Sequence, residues 1–170
     1  MERRKKLAGL IRGKRIVVAP GCHDALGAKI IEAAGFDVVY MTGNGVSSSL
    51  IGKPDIGLVT MTEMVNRARN IVSAVRLPLI CDSDTGYGNV NNVIRTVEEY
   101  EAAGVAGIHI EDQITPKKCG AMAGLKLVSL AEHMSKIKAA LGARKDKNFL
   151  IIARTDSRPV FGLEEAIRRG

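Results

Sequence analysis

The sequence predicts a parallel α/β fold and, within that class, a (β/α)₈ barrel of which about the first five βα units are present. Three observations carry this. Short apolar segments alternate with segments of helical period five times along the chain, a repetition that builds parallel sheets. Polar clusters follow successive strands, at Asp82–Gly88, His109–Asp112 and Arg154–Asp156, as expected where a barrel assembles its site from several C-terminal strand ends. No Gly-rich fingerprint follows the first strand, which argues against a dinucleotide-binding, doubly wound sheet.

Taken in order, residues 2–12 form a leading helix with Leu7, Leu10 and Ile11 as its apolar stripe. Ile16–Ala19 is the first strand, ended by Pro20-Gly21. Cys22-His23-Asp24 is a loop, and Asp24 caps a helix that runs from Ala25 to Ala34 and stops at Gly35. His23 reads as a structural or substrate-proximal histidine. Val38–Met41 is the second strand. Thr42 to Ser49 reads as a Gly/Ser-rich loop that continues through Gly52–Gly57, and a connection this long is usually functional. Its amides and hydroxyls suit a carboxylate, while the spacing and Lys-Ser/Thr ending of a phosphate loop are missing.

Thr60-x-x-Glu63 is a capping box that starts a helix with Met64, Ala68, Ile71, Val72 and Val75 inward. Pro78 opens the third strand, Leu79–Cys81. Asn89 to Asn92 cap a helix whose face is Val90, Val93, Ile94, Val97 and Tyr100 or Glu101. Val105–Ile110 is the fourth strand. Ser129-x-x-Glu132 begins a helix expected to bury Leu130, Met134, Ile137, Ala140 and Leu141. Phe149–Ala153 is the fifth strand, and Gly162 to Arg169 starts another helix.

Composition narrows the function. The 170 residues, 46% hydrophobic and 25% charged, suit one globular α/β domain spanning 1–170. No apolar run is long enough for a transmembrane helix, and the basic N-terminus leads into no signal-peptide core. A cytoplasmic protein without a membrane role is the expectation. The net charge of +7 raises nucleic acid as a partner. However, the basic residues are scattered, and three Phe, three Tyr and no Trp leave little for base stacking. Small anionic substrates fit better. Cys22, Cys81 and Cys119 have neither metal-finger nor disulfide-framework spacing.

The chemistry centres on residues 78–88, Pro-Leu-Ile-Cys-Asp-Ser-Asp-Thr-Gly-Tyr-Gly. Carboxylates beside a core need compensation. Asp82 and Asp84, two apart on an extended chain, point the same way. A hard divalent cation, Mg²⁺ or Mn²⁺, supplies that compensation and takes oxygen ligands. His109 and Glu111 form a second pair at the next strand end. Cys119 follows Lys117 and Lys118 in a loop, where positive charge favours its thiolate.

Several of these stretches occur together in a familiar order. They are Pro20-Gly21, Gly52-Lys53-Pro54-Asp55, Asp82–Gly88, His109-Ile110-Glu111-Asp112-Gln113, Lys117-Lys118-Cys119-Gly120 and Ala153-Arg154-Thr155-Asp156. From about Leu10 to Gly170 the chain resembles the isocitrate lyase/phosphoenolpyruvate mutase superfamily, in particular its short methylisocitrate lyase and 2,3-dimethylmalate lyase-like members. The resemblance implies a (β/α)₈ barrel, a homotetramer with a swapped C-terminal helix, Mg²⁺ and small 2-oxo or 2-hydroxy acid substrates. It implies Asp82 as a direct metal ligand, with Asp55, Asp84 and Glu111 holding the metal's waters and His109 supporting them. Thr42, Gly43 and Asn44 match the loop for the substrate carboxylate, with Gly120 also at the substrate. Arg154 matches the arginine that faces the anion, and Cys119 the gate-loop cysteine of carbon–carbon lyases. Ala121 and Leu125 depart from the histidine and lysine common in that loop, and Ser83 from an alanine.

The implied reaction is a retro-aldol-like cleavage of a 2-hydroxy di- or tricarboxylate to pyruvate or glyoxylate and a second acid. Cys119 would be the general acid, with Lys117 and Lys118 favouring its thiolate. Oxaloacetate decarboxylation, mutase chemistry and a non-catalytic scaffold are the alternatives. Five units where eight close a barrel suggest a truncated chain with unpaired strand edges, which would favour aggregation.

Overall fold

The structure, a computed structural model, describes residues 2–170. Its five parallel strands are β1 (Gly21–Cys22), β2 (Val39–Met41), β3 (Leu79–Asp82), β4 (Gly107–Glu111) and β5 (Leu150–Arg154). They lie in the order β1-β2-β3-β4-β5, each beside its neighbour in sequence. A doubly wound sheet reverses its strand order partway. This one never does, so it has the progression of a barrel wall.

Helices α1 (Glu2–Arg12), α2 (Ala25–Ala33), α3 (Gly43–Ile51), α4 (Met61–Ala74), α5 (Val90–Ala102), α6 (Leu130–Ala143), α7 (Arg158–Phe161) and α8 (Leu163–Arg169) complete the fold. Asp24 caps α2, the Thr60/Glu63 box caps α4, Asn89 caps α5 and Ser129 caps α6. Each cap satisfies amides that a helix start leaves without partners, worth about 1 kcal/mol.

The two-residue period of the strands separates two layers. Val39, Met41, Leu79, Cys81, Ile108 and Ile110 join Ala68, Ile71, Val93, Val97, Tyr100 and Phe149 in the main core, between sheet and helices. The alternate positions face the other way. Val38, Ile80 and Ala106 pack with Leu7 of α1, with Tyr40, Leu150 and Ile152 against them. The helix α1 therefore closes the N-terminal end of that inner face. Arg3 donates to the carbonyls of Val72 (2.8 Å) and Val75 (2.6 Å), where α4 ends. Arg4 donates to the carbonyl of Val105 (3.0 Å) and pairs with Glu101 (3.3 Å).

Three expectations need correction. The first strand pairs later than Ile16–Ala19. Its ladder covers Gly21 and Cys22, and Ile16 is 92% exposed. The apolar run was legible, but the hydrogen bonds to β2 begin at Pro20, whose carbonyl accepts from Tyr40. Second, Thr42 to Ser49 is not a loop. Thr42 accepts from the Gly45 amide as an N-cap, and Gly52 closes α3 in the left-handed conformation (φ 61°). Cap and terminator outweigh the glycine and serine content between them. Third, the inward face of α6 keeps Ala140 and Ile137 as expected but is rotated away from Met134 and Leu141. His133, Lys136 and Ala140 are buried, while Met134 (46%) and Leu141 (44%) are exposed. Apolar periodicity misread it because the buried stripe carries two basic side chains. Lys136 is accommodated by donating to the carbonyl of Thr85 (3.2 Å).

Candidate active site at the carboxyl ends of the strands

The inner-face residues at the C-terminal ends of β2 to β5 are Tyr40, Asp82, His109 with Glu111, and Arg154. Strand register sets Asp82 beside His109 and Glu111 beside Arg154. Asp82 and Glu111 are 4% and 1% exposed.

Asp82 is held from both sides. The amide of Gly43, at the first turn of α3, donates to Oδ2 (3.1 Å), and the amide of Asp84 donates to Oδ1 (2.9 Å). A Cβ on residue 43 would lie 2.6 Å from Oδ2, so only glycine permits this approach. Burial opposes ionisation of Asp82. Even so, His109, Lys117, the Asp84 amide and Arg154 together hold its carboxyl below the ordinary carboxylate value.

The chain turns sharply after Asp82. Asp84 and Tyr87 have positive φ (49° and 59°), a conformation that Asp tolerates better than most side chains. The turn is pinned to β4: the Glu111 amide donates to the Asp84 carbonyl (2.9 Å) and Ser83 Oγ to the His109 carbonyl (2.6 Å). Ser83, one of the departures noted above, therefore has a hydrogen-bonding task. Burial and the neighbouring Asp82 charge push Asp84 up to about 7, against the pull of Lys117. Burial likewise pushes Glu111 up to about 8, against Arg154.

Lys117 reaches this cluster from the loop after β4. Its Nζ lies 2.6 Å from Asp55 Oδ2 and 2.8 Å from Asp84 Oδ1, with the side chain 4% exposed. Burial disfavours its charge, but Asp84, Asp82 and Asp55 outweigh that and raise its pKa. The charge of Lys117, expected to act on Cys119, is thus directed at two carboxylates. The same loop is tied down twice more. The Cys119 amide donates to the carbonyl of Asp55 (2.7 Å), and Gln113 donates to the Lys118 carbonyl (2.9 Å) and to Asp156 (2.7 Å).

Arg154 lies 3.3 Å from Glu111 and 3.1 Å from Asp156, both of which, with burial opposing, favour its charge. Gly120 abuts it, since a Cβ there would lie 2.6 Å from Nη2. Cys119 is partly exposed. Thr42 and Gly43 are both engaged, by the α3 cap and by Asp82, while Asn44 is exposed. The expected loop of free amides is thus a helix N-terminus, a better anchor for a carboxylate.

The four carboxylates do not form a tight ligand set. Among the described residues no three His, Cys, Asp or Glu side chains are gathered closely enough to chelate one ion. Asp82 as sole direct ligand, with the others acting through water, remains compatible, because Mg²⁺ keeps several waters. The donors fit a hard cation in kind, and buried Glu111 Oε1 lacks any hydrogen-bond partner.

Tyr40, not among the expected site residues, has its hydroxyl 2.7 Å from His109 Nε2 and 3.5 Å from Asp82. Its ring stacks on the imidazole at 5.6 Å. Burial, then the Asp82 charge, raises the phenol's pKa; burial lowers that of His109, with the Asp82 charge opposing. Gln113 and Asp156, which clamp the Cys119 loop, were also unassigned. A side chain with a polar tip, alternating with the apolar Val39 and Met41 and one residue before the strand's end, would have flagged Tyr40.

The family described as phosphoenolpyruvate phosphomutase matches residues 7–170. A 2,3-dimethylmalate lyase of Eubacterium barkeri is 56% identical over 165 residues, which are 97% of this chain and 57% of that protein. Among solved structures, an oxaloacetate acetylhydrolase bound to 3,3-difluorooxalacetate superposes with a TM-score of 0.93 at 41% identity, covering 98% of this chain and 58% of the other. A phosphonopyruvate hydrolase in complex with oxalate and Mg²⁺ gives 0.92 at 37% identity, covering 100% and 58%. The chain thus spans about half the length of the relatives it matches.

Proposed function

The chain belongs to the phosphoenolpyruvate mutase/isocitrate lyase superfamily, and on that premise we propose that the intact protein is a Mg²⁺-dependent carbon–carbon lyase. Its substrate would be a small 2-hydroxy di- or tricarboxylate of the 2,3-dimethylmalate or 2-methylisocitrate type, cleaved to pyruvate or glyoxylate and a second carboxylic acid. The observation that carries this reading is Asp82, a buried carboxylate aimed by two amides and kept ionised among three other buried acids.

Asp82 would hold the metal directly, and Asp55, Asp84 and Glu111 would hold its water shell. When bound, Mg²⁺ supplies Lewis acidity at the substrate's α-oxygen and carboxylate. The chain's own residues do the rest. The α3 N-terminus at Thr42, Gly43 and Asn44 receives the substrate carboxylate. Arg154, fixed by Glu111 and Asp156, faces the negative charge that develops as the carbon–carbon bond breaks. His109 and Tyr40 present a hydrogen-bonded pair beside Asp82. Cys119 gives its thiol proton to the carbon of the departing fragment, and Lys117 and Gly120 place that loop against Asp55, Asp84 and Arg154. A homotetramer and a cytoplasmic location complete the proposal; none of the described helices is long and apolar enough to cross a membrane.

The test is turnover of 2,3-dimethylmalate, 2-methylisocitrate, isocitrate and oxaloacetate by the intact protein, with and without Mg²⁺, beside Cys119→Ser. Mg²⁺-dependent release of pyruvate or glyoxylate, nearly abolished by Cys119→Ser, is expected. Oxaloacetate as the sole substrate, with Cys119→Ser harmless, would replace the lyase by a decarboxylase.

A further inference from the structure

The backbone ladder between β4 and β5 ends at Glu111 opposite Arg154. Two further rungs continue that register through side chains. Thr155 Oγ1 donates to Asp112 Oδ2 (2.7 Å), and Gln113 Nε2 donates to Asp156 Oδ2 (2.7 Å). Successive residues face opposite ways. Glu111, Gln113, Arg154 and Asp156 bond among themselves in the anion-facing cluster. Asp112 turns toward α8 instead, where Arg169 Nη1 donates to its Oδ2 (3.0 Å).

Asp112 is fully buried, and its other oxygen, Oδ1, accepts from the backbone amide of Asp156 (2.9 Å). A carboxylate this deep needs a cation, and Arg169, its side chain 5% exposed, supplies one. The Arg169 guanidinium is itself fixed. Its Nε donates to Glu165 (2.8 Å), Nη1 donates also to the Val128 carbonyl (3.0 Å), and the group lies over the Phe161 ring at 5.8 Å. Asp156, held by its amide, then grips Arg154 along one edge, with Nε 3.1 Å from Oδ1 and Nη2 3.3 Å from Oδ2. Among the described residues, neither Asp112 nor Arg169 bonds through its side chain to Asp82, Asp84, Lys117 or Cys119.

We propose that Asp112 and Arg169 are positioning residues: from outside the site they fix the Asp156 carboxylate and, through it, the direction of the Arg154 guanidinium. The inference rests on the reading above of Arg154 as the cation that faces the developing charge. A guanidinium stabilises such charge best when its N–H groups are aimed beforehand. Arg154, its side chain 32% exposed, is too open to be aimed by packing alone, so its two carboxylate partners aim it. Glu111 is placed by the strand ladder. Asp156 lies beyond the last ladder pair, and its bond to Asp112 takes the place of the missing backbone rung. Without Arg169, Asp112 is buried with no cation bonded to it, and the rungs that hold Thr155 and Asp156 loosen.

The experiment is a double-mutant cycle in the intact protein, Arg169→Met with Arg154→Lys, on whichever of the four substrates is turned over. Arg169→Met alone should lower kcat by roughly 10- to 100-fold with KM little changed, and calorimetry should show Mg²⁺ affinity retained. In the Arg154→Lys background the same substitution should cost less than about twofold, because the group it positions is gone. Thr155→Val, which removes a donor to Asp112 and no charge, takes its place in the cycle if Arg169→Met does not fold. Crystal structures of the intact protein and of the variant read the positioning without turnover: the Arg154–Asp156 pair should be present in the first and broken in the second. Losses that add, Mg²⁺ affinity lost in step with turnover, or Arg154 still paired with Asp156 in the variant would overturn the assignment. Turnover of none of the four substrates would overturn the lyase reading instead, and the structures alone would then decide the positioning.

Discussion

Two clusters of buried charge sit at opposite ends of one sheet. At the N-terminal end Arg4 meets Glu101 and Asp146, and Glu101 also accepts from the amides of Lys145 (2.9 Å) and Asp146 (2.7 Å). The guanidinium lies over the Phe149 ring at 5.5 Å. At the C-terminal end Asp55, Asp82, Asp84 and Glu111 share Lys117 and Arg154. There Glu111 Oε1 and His109 Nδ1 have no hydrogen-bond partner, and two acids are pushed up to about 7 and about 8. The first cluster is organised to fasten α1 and the α6–β5 connection. The second differs in how it titrates: burial raises Asp84 and Glu111, whereas hydrogen bonds from Asn148 hold Asp146 in the first cluster below the ordinary carboxylate value.

The two ends should therefore respond oppositely to mutation. The largest effect expected is that of Asp82→Ala on turnover, a loss on the order of 10³-fold, with little loss of melting temperature because like charges are relieved. Thermal unfolding run beside the assay checks both halves. Arg4→Ala should do the reverse, costing about 3 kcal/mol by leaving Glu101 buried without its cation, while per-molecule activity of the folded fraction is unchanged. Denaturant titration measures the first and active-site-normalised turnover the second.

Gly43→Ala lies between these cases. The added Cβ would press on Asp82 Oδ2, and a drop of roughly 10- to 100-fold in metal affinity is expected, read by calorimetry, with secondary structure intact. The smallest effect is on pH. Asp84 and Glu111 have folded pKa values above their unfolded ones, so the folded state binds more protons than the unfolded state between about pH 4 and about pH 8. Metal-free stability should accordingly fall as pH rises through that window. Asp84→Asn should flatten the fall, whereas Arg4→Ala should not. Melting curves from pH 4 to 8 test this.

The contrast also explains what was legible in the sequence. The third and fourth strands were, because Leu79–Asp82 and Gly107–Glu111 are buried on both faces and read as largely apolar runs that end in acids. Asp82, Glu111 and Arg154 were, because they lie at strand ends with alternate residues facing inward. The partnership of Lys117 with Asp55 was not. Those residues are 62 apart in sequence, and only the closing of two loops over the turn at Asp84 joins them. Tyr40 was missed because an aromatic residue in a strand reads as core. The inward face of α6 was legible only at Ala140 and Ile137, because His133 and Lys136 occupy the rest of it, against the rule that buried stripes are apolar.

The proposed metal site is the group of buried acids around Asp82. The most direct measurement is Mg²⁺ or Mn²⁺ titration of the intact protein by calorimetry at pH 7, in two buffers of different ionisation enthalpy. Binding should displace the protons that burial retains on Asp84 and Glu111, so the heats should differ between buffers, and Asp82→Ala should abolish both binding and proton release. Unchanged affinity in Asp82→Ala, or binding with no proton released, would contradict it.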